Sequence, residues 1–252
     1  MTEPVYKKEG DLSTFTPTLS DKIRAVTAGG VSGNILISAL LSSLGIAQAG
    51  WMPVTDTWTY ASASTITVSS GAAAIYKVGQ GLKLNNTDTK YFYIVGVADT
   101  LLTITGGSDY TLDSDAISAI SYTNTPGTAI GFPQVFNWTP TITAAVGTYT
   151  TVTNSDSKFS MDGKKIRFRT SQQIVTNGTA AGYMLITLPI ARDAAFVDAP
   201  GGSAINNGTG GFLFGLNCVM WGTNQILVYK YDATYPGANG YRLTESGEYI
   251  AA

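Results

Sequence analysis

The feature that most constrains this chain is period-two alternation carried in short runs. Thr57-Trp-Thr-Tyr-Ala-Ser-Ala-Ser-Thr-Ile-Thr-Val68 is rich in β-branched and aromatic residues set against small polar ones. Successive side chains of a strand point to opposite faces, so this run supplies one apolar and one polar face. Ile75–Leu84 leads the chain into a further strand, and Lys90–Val97 and Leu101–Thr105 repeat the texture. Turn-forming segments separate them: Ser69-Ser-Gly71, a hairpin tip at Asn85-Asn-Thr-Asp-Thr89, Ala98-Asp-Thr100 and Gly106-Gly-Ser108. Short strands at near-regular spacing predict a small β-barrel or sandwich over residues 50–133.

Asn124-Thr-Pro-Gly127 and Gly131-Phe-Pro133 mark a linker. Beyond it, residues 134–252 read as a second β-domain. Its candidate strands are Thr148–Asn154, Lys158–Met161, Lys164–Thr176, Gly182–Leu188, Gly210–Trp221, Gln225–Tyr231 and Leu243–Ala251. Asp162-Gly163 predicts a two-residue hairpin turn, and Asn177-Gly178 and Asn207-Gly208 predict further turns. The strand count and length suit a jelly-roll-like β-sandwich. Residues 1–49 differ: a polar, extended stretch leads to Ala28-Gly-Gly-Val-Ser-Gly33. Asn34 reads as the N-cap of a helix in which Ile35, Leu36, Leu40, Leu41 and Leu44 recur at three-to-four spacing, with Gly45 at its end. So short an amphipathic helix needs a partner, either its own β-domain, another copy or a larger assembly. The expected fold class is therefore all-β, with an N-terminal attachment segment containing one helix.

Composition narrows the chemistry. The chain has 252 residues, no histidine and one cysteine. A Ser-His-Asp triad, a Cys-His pair and a histidine-based zinc site are all excluded. Cys218 lies in the apolar run Phe212–Trp221 and cannot form an internal disulfide, so it reads as a small core residue. A net charge of −2 gives no electrostatic reason to bind nucleic acid. Lys165, Arg167 and Arg169 would share one face of a strand, which reads as a solvated face rather than a polyanion site. Only 13% of residues are charged, against 44% hydrophobic. A chain that hides surface against its own copies needs fewer charges, which points to a homo-oligomer. The N-terminus lacks the order of a secretion signal, and Ile35–Ile46 is too short and Ser-rich to span a membrane.

Several segments are similar in wording to tailed-bacteriophage and prophage structural proteins. They are Trp58–Val68, Tyr76–Leu84, Lys90–Val95 and Leu102–Leu112, followed by Gly131-Phe-Pro-Gln-Val-Phe-Asn-Trp-Thr-Pro140. Phe159–Arg169, Leu185-Ile-Thr-Leu-Pro189 and Gly247-Glu-Tyr-Ile-Ala-Ala252 resemble phage fibre-tip and head-fibre domains. The resemblance covers roughly residues 50–252 and rests on texture and word order. It implies a virion part that assembles as a homotrimer, attaches to other virion proteins through its N-terminal segment, and acts as a receptor-binding tip, a head or neck fibre, or a decoration protein. No long collagen-like or coiled-coil shaft is present in the sequence.

Site candidates follow from residue type. Tyr231, Tyr235, Asn239 and Tyr241 fall in or beside the loop Val228–Gly240, where aromatic faces beside Asn, Asp and Lys suit sugar rings. They are the expected ligand-binding residues, for a bacterial surface glycan. Trp221, inside a strand, reads instead as core or subunit interface. Asp109, Asp113 and Asp115 lack the spacing of a calcium loop. Asp193 and Asp198 flank a loop but do not declare an acid/base pair, and the coil repeats of long depolymerases are not visible. No metal, cofactor or catalytic residue is expected. The expected role is host-surface attachment without enzymatic activity. A capsid or neck decoration protein without a ligand, and a polysaccharide depolymerase, are the alternatives.

Overall fold

The computed structural model describes residues 22–26, 32–36, 50–124, 129–195, 200–206 and 214–252. The chain divides into two compact units, Met1–Gln48 and Ala49–Ala252. In the first, β1 (Lys22–Val26) and β2 (Ser32–Leu36) pair antiparallel, with Ile23 opposite Ile35 and Arg24 opposite Asn34. This corrects the helix expected from Asn34 onward: Asn34, Ile35 and Leu36 are strand residues. Apolar spacing alone cannot separate a short helix from a strand. Here the backbone groups of Ile35 and Leu36 sit in a ladder with β1, the pairing that β-branched Ile23, Val26 and Ile35 favour. Leu40, Leu41, Leu44 and Gly45 lie outside the described residues.

The second unit is all-β and antiparallel, with two sheets and no closed barrel. The first sheet has seven strands: β3 (Trp51–Pro53), β4 (Thr59–Ser62), β5 (Thr65–Thr67), β6 (Gly81–Asn86), β7 (Asp88–Val97), β8 (Leu101–Thr105) and β9 (Ser118–Thr123). Their spatial order is β3-β9-β6-β7-β8-β5-β4. The alternating run from Thr57 to Val68 is a hairpin rather than one strand, because the small Ala63 and Ser64 let it turn, with Thr59 opposite Thr67. A single helical turn, Ala72–Ile75, leads toward β6.

Strand β7 explains why Tyr91-Phe-Tyr-Ile-Val95 reads as a continuous apolar run. Phe92 and Ile94 enter the first sheet's own core, with Trp58, Ile66, Leu82, Leu102 and Ile104. Tyr93 points the other way, into a second core with Phe132, Phe136 and Phe159, and Tyr91 and Val95 pack on the same cluster. A strand buried on both faces loses its alternation. The expected linker at 131–133 is thus a packed joint. Tyr93 meets Phe132 and Phe136 edge-on at 5.0 and 5.1 Å between ring centroids. The two sheets touch backbone to backbone here. Gly79 has φ 94°, and a Cβ on it would lie 2.2 Å from the Gly163 carbonyl oxygen. Gly107 has φ 63°, and a Cβ there would lie 1.9 Å from the Asn137 oxygen. Only glycine tolerates both the left-handed backbone and the approach. Asp109 completes the joint by accepting from Asn137 N and Nδ2, both at 2.8 Å.

The second sheet has nine strands: β10 (Phe136–Asn137), β11 (Ile142–Val146), β12 (Thr151–Asp162), β13 (Lys165–Thr176), β14 (Ala181–Thr187), β15 (Pro200–Asn206), β16 (Phe214–Trp221), β17 (Gln225–Lys230) and β18 (Arg242–Ile250). The order is β10-β12-β13-β18-β15-β16-β17-β14-β11. Thr148–Asn154 and Lys158–Met161, expected as separate strands, belong largely to the single strand β12. The hairpin loop is Gly163-Lys164, one residue later than expected, since Asp162 pairs with Lys165. Gly163 takes φ 58°, and a glycine at the first loop position fits a type II′ turn rather than Asp-Gly in type I′. Asn207-Gly208 lies outside the described residues.

This sheet folds over on itself. Strands β13 and β14 stand five places apart in the order, about 24 Å in a flat sheet at about 4.8 Å per strand. Yet Gln172 Nε2 of β13 lies 3.7 Å from Met184 Sδ of β14. The sheet's two halves therefore face each other as a sandwich around Phe168, Ile174, Met184, Ile186, Ile226, Val228 and Leu243. Cys218 is buried there as expected, and burial pushes its thiol well up. Within this apolar interior runs a polar thread. Ser157 Oγ donates to Asn154 Oδ1 at 2.6 Å and meets Thr170 Oγ1 at 2.5 Å; Thr170 donates to Gln172 Oε1. Gln172 Nε2 in turn donates to Glu245 Oε2. Glu245 is fully buried, its Oε1 has no hydrogen-bond partner, and burial raises its carboxyl to about 8. Among the described residues, no helix is long and apolar enough to cross a membrane.

Candidate functional site

The outer face of the folded sheet carries the candidate site. Along β14, β16 and β17 the inner positions are Met184, Ile186, Leu216, Cys218, Met220, Ile226 and Val228, all in the core. Parity then places Tyr183, Leu185, Val219, Trp221, Leu227 and Tyr229 outside. Register aligns them: Val219 stands opposite Leu227, Leu227 opposite Leu185, and Trp221 opposite Gln225. The solvent-facing side of an antiparallel sandwich is ordinarily polar. Here it is apolar and aromatic.

These side chains enclose a hollow of about 310 Å³, lined by Tyr183, Val219, Trp221, Leu227, Tyr229 and Ala233. Leu227 forms its floor; it belongs to neither core, yet is almost fully covered. Tyr183 and Tyr229 meet edge-on at 5.7 Å. Trp221 is 54% exposed, so of the two expected places, core or subunit interface, the core is excluded. The reason is parity: Met220 and Cys218 take the inward positions of β16. Ala233 closes one end at φ 61°, in a tight loop held by Lys230 N donating to Thr234 O and by Thr234 N and Oγ1 donating to Asp232 Oδ1. Those bonds hold the Asp232 carboxyl below its usual range. Rings on rigid strands, with Gln225, Asn217 and Asp232 nearby, can stack on an apolar ring face and bond the hydroxyls around it.

The expected ligand residues are dispersed. Tyr231 is 81% exposed in the loop that bears Ala233. Tyr235 donates to Asn177 Oδ1 at 2.5 Å, and Asn239 Oδ1 accepts from Asn177 N at 2.7 Å. The Tyr241 carbonyl accepts from Ile174 N at 2.8 Å. Tyr235, Asn239 and Tyr241 therefore staple residues 235–241 to the β13–β14 corner: two side chains expected to meet a ligand, Tyr235 and Asn239, are engaged in holding the fold, and Tyr241 joins through its backbone. Composition could not distinguish an aromatic loop that binds from one that is sewn down. Tyr183 was not singled out from the sequence. Its signal is the parity of Tyr183-Met-Leu-Ile-Thr187, which becomes readable only once β14 is known to lie beside β17.

Of the carboxylates weighed for calcium or glycoside chemistry, Asp109, Asp113 and Asp193 have structural tasks. Asp113 accepts from Lys90 Nζ at 2.6 Å, which holds its carboxyl below the ordinary range. The buried Asn86 side chain donates to the carbonyls of Asp113 and Asp115 and accepts from Asp113 N at 2.8 Å. Asp193 Oδ1 accepts from Ala195 N at 2.9 Å, and Asp198 lies outside the described residues. Among the described residues no cluster of acidic or cysteine side chains could hold a metal ion. Comparison with protein-family models, with curated proteins and with solved structures gave no match to this chain.

Proposed function

We propose that this chain is a non-enzymatic attachment protein of a tailed-phage or prophage particle, fibre-like in role, and that its C-terminal sandwich contacts a glycan on a bacterial surface. The observation that carries this reading is the outward aromatic hollow of Tyr183, Trp221 and Tyr229 over Leu227. An apolar hollow on a sandwich face marks a surface built for contact. The likeness of residues 50–252 to phage fibre domains supplies the setting, and the sparse charge supports assembly as a homotrimer with the N-terminal segment joined to other virion proteins. Three copies would present three hollows, and multivalency would raise weak individual contacts to a firm hold.

Glycan-array and host-cell binding by the full chain, compared with Trp221→Ala and Tyr229→Ala, test the proposal. Binding should fall at least tenfold in both variants, while the exposed Trp221→Ala changes stability by no more than about 0.5 kcal/mol. Unchanged binding by both variants would refute the hollow. Light scattering tests the assembly: a stable monomer of 26.5 kDa at micromolar concentration would refute the trimer.

A further inference from the structure

The other layer of the sandwich carries an unusual concentration of positive charge. On the outer face of β12 and β13, Lys158 stands directly opposite Arg169, and Ser160 opposite Arg167. On β18 the register continues to Ser246 and Glu248. Lys158, Arg167 and Arg169 are exposed and border a hollow of about 220 Å³, with exposed Val135 on its rim. Like charges facing each other across a ladder repel. Compensation is incomplete. Asp156 lies 3.2 Å from Lys158, and Glu248 is divided between Lys165 at 2.8 Å and Arg167 at 3.7 Å. Arg169 has no acidic partner among the described residues. The whole chain carries only 15 lysines and arginines against 17 acids, so this grouping is out of keeping with its sparse, nearly balanced charge.

Strand geometry gives the spacing. Arg167 and Arg169 project from one face about 7 Å apart, and Lys158 lies about 5 Å across the ladder from Arg169. Three cations converging at that distance, two of them planar forks suited to paired oxygens, match a group with several negatively charged oxygens. We propose that Lys158, Arg167 and Arg169 form a binding site for an oxyanion group, a sulfate, phosphate or carboxylate, presented to the face of β12 and β13. Arg169 is its centre, because no acid of the described chain neutralises it.

The site is independent of the aromatic hollow, and its test is separate. Full-length protein is titrated at constant ionic strength with sodium sulfate, dextran sulfate and neutral dextran. Wild type and the variants Arg169→Gln, Lys158→Gln, Arg169→Lys and Lys77→Gln are compared. The sulfated probes should bind and neutral dextran should not. Arg169→Gln should weaken binding at least tenfold and Lys158→Gln several-fold. Arg169→Lys, which keeps the charge but loses the fork, should fall between. Lys77→Gln removes one equal, exposed charge from the segment before β6 and should leave binding unchanged. A tenfold or greater gain of polymer over free sulfate supports a polymer-borne oxyanion; equal affinities support a small free one. No binding of either sulfated probe, or equal weakening by Arg169→Gln and Lys77→Gln, overturns the proposal.

Discussion

Glu245 offers the sharpest physical test of this structure. Its side chain is fully buried between the halves of the sandwich, with Gln172 donating to one oxygen and nothing bonded to the other. Desolvation raises its carboxyl from 4.5 to about 8, and the Gln172 bond opposes this only in part. The folded protein therefore holds a neutral acid where the unfolded chain holds a carboxylate. Stability linked to this group is fully present below about pH 4.5 and is lost as pH rises toward about 8. The slope is about −1.4 kcal/mol per pH unit, so the loss at pH 7 is about 3 kcal/mol. The window is clean because the chain has no histidine. The phenols of Tyr149 and Tyr235 and the Cys218 thiol, which face this region, are all pushed up by burial and act only in alkali. Asp99, Asp113, Asp232 and Glu248, which are pulled down, act only in acid. Urea denaturation across pH 4–8 should show wild-type stability falling with pH. Glu245→Gln should flatten the curve, gaining about 3 kcal/mol at pH 7 and almost nothing near pH 4. A flat wild-type curve between pH 5 and 8, or equal destabilisation by Glu245→Gln at both ends, would refute the reasoning.

Other consequences concern the joint between the sheets. Tyr93→Ala should cost about 3–5 kcal/mol, since it empties the contact among Phe132, Phe136 and Phe159. Calorimetry should then show one thermal transition separating into two. Gly79→Ala should destabilise by more than about 2 kcal/mol, because the new Cβ meets the Gly163 backbone at 2.2 Å. Gly71→Ala, with a similar φ of 90° but nothing within 4 Å, should cost only about 1 kcal/mol. Equal losses in the two glycine variants would show that the approach of the sheets contributes nothing.

Much of the fold was legible because period-two alternation and turn chemistry are local. The turn at Asn85–Thr89, the strands around Lys90–Val97 and Leu101–Thr105, and most strands after residue 150 were readable in this way. Strands β3, β9, β10, β11 and β15 were not legible because they are short or rich in Gly, Ala and Ser, and are held by pairing rather than propensity. The N-cap expected at Asn34 and the helix start at Ile35 and Leu36 failed for the complementary reason: a short apolar pair also fits a strand once a partner ladder is present.

The amino-acid sequence by itself determined the all-β class, the absence of histidine chemistry, and the inward-outward parity of each strand, since these follow from residue identity and the two-residue repeat. Only the tertiary structure decided which parity faced water. The folding of the nine-stranded sheet turned Met184, Cys218 and Val228 inward and left Trp221, Tyr229 and Tyr183 together outside. Placing Tyr183 beside Tyr229 joins β14 to β17, strands distant in sequence, and their register is fixed by the shared core rather than by any one strand.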